Sequence, residues 1–220
     1  PDQIDKILNT FPKKNKIEKN NYSNILICGM GGSAIGGDFI KSLVGDETAL
    51  PLDINRDYNL PTWVSNTSLI ILSSYSGNTE EVVSCLNQCI TKKINPIIIT
   101  SNGVLLDQAK KNNFIYFDIP TGHMPRFAVG YSISILLLIF SKLGLISKTI
   151  EEKLAKLPEL LQLDSHSYSS LDEANNKCID MAKNIYDKFN IIYSSSNMEV
   201  LGLRFRAQLA ENAKILSTHY

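Results

Sequence analysis

Two short runs, residues 69–73 (LIILS) and 96–100 (PIIIT), constrain the fold more than any other feature of the chain. Each is apolar at consecutive positions, so a strand built from it has two faces to bury. A parallel sheet with helices on both sides provides that burial. Three further β-branched stretches bounded by Gly, Ser or Pro, at 24–28, 52–55 and 114–118, read as strands. The segments between, approximately 33–44, 79–92, 104–111 and 127–143, have helical spacing. The alternation predicts an α/β fold over residues 23–147, a doubly wound parallel sheet in a three-layer sandwich.

The flanks read differently. In residues 1–22, Ile4, Ile7, Leu8 and Phe11 share one helical face, and the charged run KKNKIEKNN that follows reads as a solvated linker. Residues 148–189 form a helical connector, two helical stretches with Pro158 near the end of the first and SHSYSS between them. At 190–220, NIIYSSSNMEVLGLRFRAQLAENAK restarts a strand, a small-residue turn and a helix, loosely echoing SNILICGMGGSAIGGDFIKSL. This is the expected start of a second domain of similar design. A single strand and helix cannot bury their own apolar faces, so the parent protein is expected to be longer, and a first residue that is Pro rather than Met points the same way.

Charge and composition remove several function classes. The 22 basic and 22 acidic residues cancel, which leaves no net field to attract nucleic acid or an anionic membrane; any anion site must be built locally. The longest apolar run, 133–140, falls well short of the roughly 18 residues that a membrane span requires, so it reads as a buried helix. The four cysteines form no CxxC pair, which signals neither zinc nor a disulfide framework and fits a reducing cytoplasm. Cys85 and Cys89, one helical turn apart without a histidine, read as core.

In an open parallel sheet ligands gather at the carboxyl ends of the strands, and two turns there stand out. The first, Gly29-Met30-Gly31-Gly32-Ser33-Ala34-Ile35-Gly36-Gly37, lets backbone approach a ligand at a helix start that favours negative charge. Its Gly29, Gly31 and Ala34 also satisfy a relaxed dinucleotide fingerprint, with Asp53 about 20 residues on as a ribose-binding acid. The bland alternative is close strand-helix packing. The second turn, Ser73-Ser74-Tyr75-Ser76-Gly77-Asn78-Thr79-Glu80-Glu81, could be helix capping, with Asn78 as N-cap and Glu81 as its capping-box partner, worth about 1 kcal/mol. Capping leaves the other hydroxyls and the glycine unexplained. Hydroxyl donors, helical N–H groups and a helix dipole together hold a dianion without lysine, so the inferred ligand is a phosphate monoester.

The motifs GMGGSAIGGD, SYSGNTEE and MPRFAVGY, in that order, resemble the sugar isomerase (SIS) domain family, specifically its bifunctional phosphoglucose/phosphomannose isomerases. The resemblance runs from about Asn24 to the end of the chain. It implies a flavodoxin-like SIS sandwich and an aldose-ketose isomerase that interconverts glucose 6-phosphate, and mannose 6-phosphate, with fructose 6-phosphate through a cis-enediolate. It further implies that Ser74, Ser76 and Thr79 cradle the sugar phosphate and that Gly31, Gly32 and Ser33 lie along the sugar. Arg126 corresponds to the PR-motif arginine, expected to stabilise the enediolate oxygens, and Glu211 to the ENAK-type glutamate, expected to move the proton. No metal or cofactor is implied, and the parent is expected to be a cytoplasmic homodimer acting on a hexose 6-phosphate.

The family's ring-opening histidine lies in an NHNE-like motif that these 220 residues lack, as they lack its late lysine, so this piece is expected to be weakly active or inactive. His219 is no substitute for that histidine, and His123 and His166 read as structural or solvated. Two other readings stand beside the isomerase. A non-catalytic SIS module that senses phosphosugars would keep Ser74, Ser76 and Thr79 but have no use for Arg126 or Glu211. A nicotinamide enzyme would use Gly29, Gly31, Ala34 and Asp53, and the hydroxyl-rich turn would have no role in it.

Overall fold

The computed structural model describes residues 1–11, 17, 20–45, 47–170 and 176–220, so most of the expected 13–21 linker lies outside the described residues. The chain divides into two compact units, Asp2–Ala155 and Lys156–Tyr220, the latter grouped with Pro1.

The first unit carries α1 (Asp2–Thr10), β1 (Asn24–Cys28), α2 (Gly31–Val44), β2 (Leu52–Asn55), β3 (Ser68–Ser74), α3 (Glu80–Thr91), β4 (Ile97–Thr100), α4 (Gly103–Lys111), β5 (Tyr116–Asp118) and α5 (Val129–Leu143). The five strands form one sheet in the order β2-β1-β3-β4-β5, and every pairing is parallel. The expected doubly wound α/β sheet is what forms.

Alternate residues of each strand serve opposite faces. Leu26, Cys28, Ile70, Leu72 and Ile98 pack with Val82, Cys85, Leu86 and Cys89 of α3 and with Leu105 and Ala109 of α4. On the other side α2 sits close enough for a Cβ on Gly37 to meet Ile27 and Ile54, and α2 packs on α5. All seven residues of β3 are buried, as befits the central strand. The apolar run expected to be a buried helix lies in α5, where every residue from Ser134 to Ser141 is buried. At the sheet edge Phe11, just past α1, stacks on Phe117 of β5 with ring centroids 4.8 Å apart.

Strand order reverses between β1 and β3, and Cys28 pairs with Leu72 at their carboxyl ends. The two turns singled out from sequence therefore leave the sheet side by side at the topological switch point, where doubly wound sheets bind ligands.

A long helix, α6 (Thr149–Ser169), follows the sheet. Pro158 lies in its middle rather than near its end, and the SHSYS residues continue the helix instead of breaking it. Proline removes one backbone donor, but the leucines on either side keep helical spacing, and serine and histidine oppose a helix only weakly. In the second unit, α7 (Lys177–Ile185) is capped by Asn176, whose side chain accepts from the N–H groups of Cys178 (2.9 Å) and Ile179 (3.3 Å). Then come β6 (Asn190–Ile192), α8 (Glu199–Gln208), a π-helical turn at Leu209–Ala213 and β7 (Ser217–His219). The sequence reading had one strand here. STHY supplies a second, in parallel register with β6 through Ile191 and Thr218.

Candidate active site

The hydroxyl-rich turn is a knot of short-range bonds at the end of β3. Ser74 is buried at the last strand position, its hydroxyl 2.7 Å from that of Thr79 and accepting from the Gly77 N–H at 3.1 Å. Ser76 is exposed, and its hydroxyl accepts from the Asn78 N–H at 3.2 Å. The N-cap of α3 is Thr79, not Asn78, and its side chain makes no capping hydrogen bond to the helix. Asn78 instead turns its Oδ1 to the Val104 N–H at the start of α4, 3.0 Å away. Thr79 thus brings its hydroxyl to Ser74 while the first-turn N–H groups of α3 point out of the helix end. The neighbouring acid Glu80 is occupied elsewhere: it accepts from the Tyr58 hydroxyl at 3.1 Å, which with the Glu81 charge raises the Tyr58 pKa.

The turn is pressed against the β4–α4 loop. Gly77 has φ +69°, and a Cβ there would stand 1.7 Å from the Asn102 carbonyl oxygen. The Ser101 N–H donates to the Tyr75 carbonyl at 3.1 Å, which fixes the turn from below. The buried Ser73 hydroxyl, one position before Ser74, has no hydrogen-bond partner among the described residues.

The glycine turn after β1 begins α2. Gly31 is exposed with open space beside its Cα, Gly32 and Ser33 are half-buried, and the Ser33 N–H donates to the Met30 carbonyl at 3.0 Å. Gly32 meets the arginine loop directly, since a Cβ there would lie 3.1 Å from the Pro125 carbonyl oxygen. Pro125–Phe127 is a 3-10 turn rather than the first turn of α5, because Pro125 starts it and the N–H groups of Phe127 and Ala128 close it onto Met124 (2.8 Å) and Pro125 (3.2 Å). Arg126 on this turn is half-buried, with its guanidinium carbon 5.1 Å from the Phe127 ring centroid. The first unit therefore places Gly31, Gly32 and Ser33 in the first turn of α2, Ser74, Ser76 and Thr79 between the end of β3 and the start of α3, and Arg126 on the 3-10 turn before α5, in three segments that follow strands of the sheet.

Glu211 belongs to the second unit. Its segment is a π-helical turn rather than a continuation of α8, a distortion frequently found at functional positions. Its side chain is exposed. Burial lowers the pKa of Arg204 and the Glu211 charge opposes that shift.

The sequence profile of the bacterial phospho-glucose isomerase C-terminal SIS domain matches residues 174–220. The bifunctional phosphoglucose/phosphomannose isomerase of Caldicellulosiruptor bescii is 37% identical over 199 residues, covering 90% of this chain and 59% of that protein. Its counterpart in Aquifex aeolicus is 33% identical over 194 residues, covering 88% and 57%. Over about nine tenths of its length the chain is similar to bifunctional phosphoglucose/phosphomannose isomerases. It spans less than two thirds of the length of these relatives. The fold is shared with the C-terminal domain of glucosamine-fructose-6-phosphate aminotransferase from Francisella tularensis, at a TM-score of 0.70 and 15% identity over 100% of this chain and 67% of that one.

The geometry does not favour Asp53 as a ribose ligand. Asp53 pairs with Leu26 in mid-strand rather than at the carboxyl edge, and its carboxylate lies 3.6 Å from Lys41 Nζ. The three core cysteines lie just below the site. Asn55 Nδ2 donates to Cys85 Sγ at 3.3 Å, while a hydrogen bond to Cys85, with burial, holds the Cys28 pKa well above its ordinary value. Burial pushes Cys89 up to about 12. Among the described residues no cluster suits a metal ion, and no helix is long and apolar enough to cross a membrane.

Sequence reasoning gave no role to Tyr75 and set His123 aside. The Tyr75 hydroxyl donates to the Pro120 carbonyl and accepts from the His123 N–H, both at 2.9 Å, and the His123 ring lies 3.3 Å from the Tyr131 hydroxyl. These partners are too far apart in sequence for any spacing to reveal them. His166 stays within α6 beside Gln162, and His219 Nε2 is 2.6 Å from the Ser194 hydroxyl.

Proposed function

We propose that the full-length protein is an aldose-ketose isomerase that interconverts glucose 6-phosphate, and mannose 6-phosphate, with fructose 6-phosphate by proton transfer through a cis-enediolate. The observation that carries this reading is the hydroxyl cup of Ser74 and Thr79 beside the uncapped start of α3, at the switch point and flanked by the Arg126 loop. Ser74, Ser76 and Thr79 hold the phosphate, trading their mutual hydrogen bonds for bonds to its oxygens. Gly31, Gly32 and Ser33 line the sugar. The Arg126 guanidinium opposes charge that develops on the enediolate oxygens, an interaction worth a few kcal/mol, about 3, when water is excluded. Glu211 removes the proton from one carbon and returns it to the neighbouring one. The reaction only moves protons, one between the two carbons and one between their oxygens, so none of these steps calls for a cofactor.

The test is fructose 6-phosphate turnover by the full-length protein and its Glu211→Gln variant. The variant is expected to lose about 10²- to 10⁴-fold in kcat with little change in KM. Undiminished turnover overturns the assignment of the base, and phosphosugar binding without turnover in the parent favours a sensing module instead. We further propose a cytoplasmic homodimer, in keeping with the family resemblance and with the reduced thiols of Cys28, Cys85, Cys89 and Cys178; light scattering on the full-length protein reads the dimer directly.

A further inference from the structure

We propose that Tyr75 is a positioning residue that couples the phosphate turn to the loop carrying Arg126. The inference rests on the phosphosugar reading above and adds to it a residue with no assigned role. Tyr75 stands inside the SYSGNT turn, one position after Ser74, yet its side chain acts on a different loop. A phenol hydroxyl can donate one hydrogen bond and accept others, and here both roles are used on the same short segment. It donates to the Pro120 carbonyl and accepts from the His123 N–H, each at 2.9 Å, so one oxygen closes the 120–123 bend.

The tyrosine is itself held at its backbone. Its carbonyl accepts from both the N–H and the hydroxyl of Ser101, so its ring is carried by the same β4–α4 loop that supports Gly77. Between His123 and Arg126 lie only Met124 and Pro125, and Pro125 has a fixed φ and opens the 3-10 turn. Displacement of His123 is therefore passed on to Arg126 with little slack. On its far side the turn is held by α1, where Gln3 Nε2 donates to the Phe127 carbonyl, and from α2 Gly32 abuts Pro125. The His123 ring meets the Tyr131 hydroxyl, anchoring the same loop to α5. Of these restraints only Tyr75 originates in the turn that receives the phosphate. A ligand that orders Ser74–Thr79 must therefore also order the segment that aims the guanidinium.

The experiment has two parts. Amide hydrogen exchange is measured on the 220-residue protein with and without saturating inorganic phosphate. In the wild type, phosphate is expected to slow exchange by about tenfold both at 74–79 and at 121–127. In Tyr75→Phe, which keeps the packed ring, the first segment is still protected and the second is not, while the slow amides of β1 and β3 show that the fold is intact. In the full-length enzyme, Tyr75→Phe is expected to lower kcat by about tenfold to a hundredfold with KM for fructose 6-phosphate within about twofold. Protection of 74–79 without 121–127 in the wild type overturns the coupling alone, as does equal protection of both segments in the variant. An unchanged kcat does the same. Absence of any protection at 74–79 removes the phosphate site, and the coupling with it.

Discussion

Gly77 shows how much of the site depends on single atoms. A residue with a Cβ at φ +69° incurs backbone strain of about 1 to 2 kcal/mol, and here that Cβ would also stand 1.7 Å from the Asn102 carbonyl oxygen, a backbone atom that cannot swing aside. Gly122 offers the comparison, since its φ is +92° but no atom of the described residues lies within 4 Å of an added Cβ. Gly77→Ala is expected to lose more than about 3 kcal/mol in denaturant unfolding and Gly122→Ala no more than about 2. Equal losses would show that the two loops separate freely and that the turn is not held from behind. The same tightness explains why Asn78 does not cap α3. With Gly103 also at positive φ and its Cβ position 2.6 Å from Asn78 Oδ1, the amide is already committed to the start of α4.

At the scale of elements, α3 does two things at once: its first turn starts beside the hydroxyl pair of Ser74 and Thr79 and its apolar stripe seals the sheet. Val82, Cys85, Leu86 and Cys89 are all at most 1% exposed, and Cys28 of β1 lies beneath them. The thiolate is the reactive form of cysteine; the pKa of Cys28 and Cys89 is raised, whereas the hydrogen bond with Cys28 lowers that of Cys85, so Cys85 is shielded from the reagent by its burial alone. Iodoacetamide at pH 8 is therefore expected to modify Cys178, the exposed thiol, and to leave Cys28, Cys85 and Cys89 untouched until the protein is denatured; peptide mapping distinguishes the four. Native labelling of Cys85 would mean that α3 lifts from the sheet. This stripe was legible in the sequence because helical spacing is a local property, as were the β1 and β2 boundaries and the all-parallel order that LIILS and PIIIT required. Residues whose partners are distant were not legible. Nothing in the sequence near Asn78 points to Val104, and nothing near Tyr75 points to His123. The π-helical turn around Glu211 and the pairing of β7 with β6 likewise depend on contacts that no short window contains. Three of the loops that gather the proposed site residues were visible as motifs, whereas the bonds that fasten those loops to one another were not.

At the scale of the whole molecule the two units have very different means of support. Asp2–Ala155 encloses a five-stranded sheet between helices, and its last element is secured from within, with Leu154 only 3% exposed and the Ser141 hydroxyl donating to Glu151 at 2.5 Å. Lys156–Tyr220 rests on two parallel strands of three residues each, and leaves Ile191 51%, Tyr193 77%, Leu216 80% and Tyr220 70% exposed. A two-stranded sheet with an open apolar face is marginal in water, because fixing each backbone residue costs about 1 to 2 kcal/mol that buried area must offset. The chain is therefore expected to unfold in two steps. Amides of β6 and β7 should exchange within the dead time of a manual experiment while those of β1 and β3 exchange only with global unfolding, and deletion of residues 156–220 should leave the upper thermal transition in place. A single cooperative transition that is lost on deletion would show instead that the sheet of the first unit depends on the second for its stability. Ser74, Ser76 and Thr79 of the proposed phosphate cup all lie within the first unit, so the truncated chain is expected to bind inorganic phosphate as the 220-residue chain does. Glu211 goes with the deleted part, so if it is the proposed base, the same deletion made in the full-length protein is expected to abolish isomerisation.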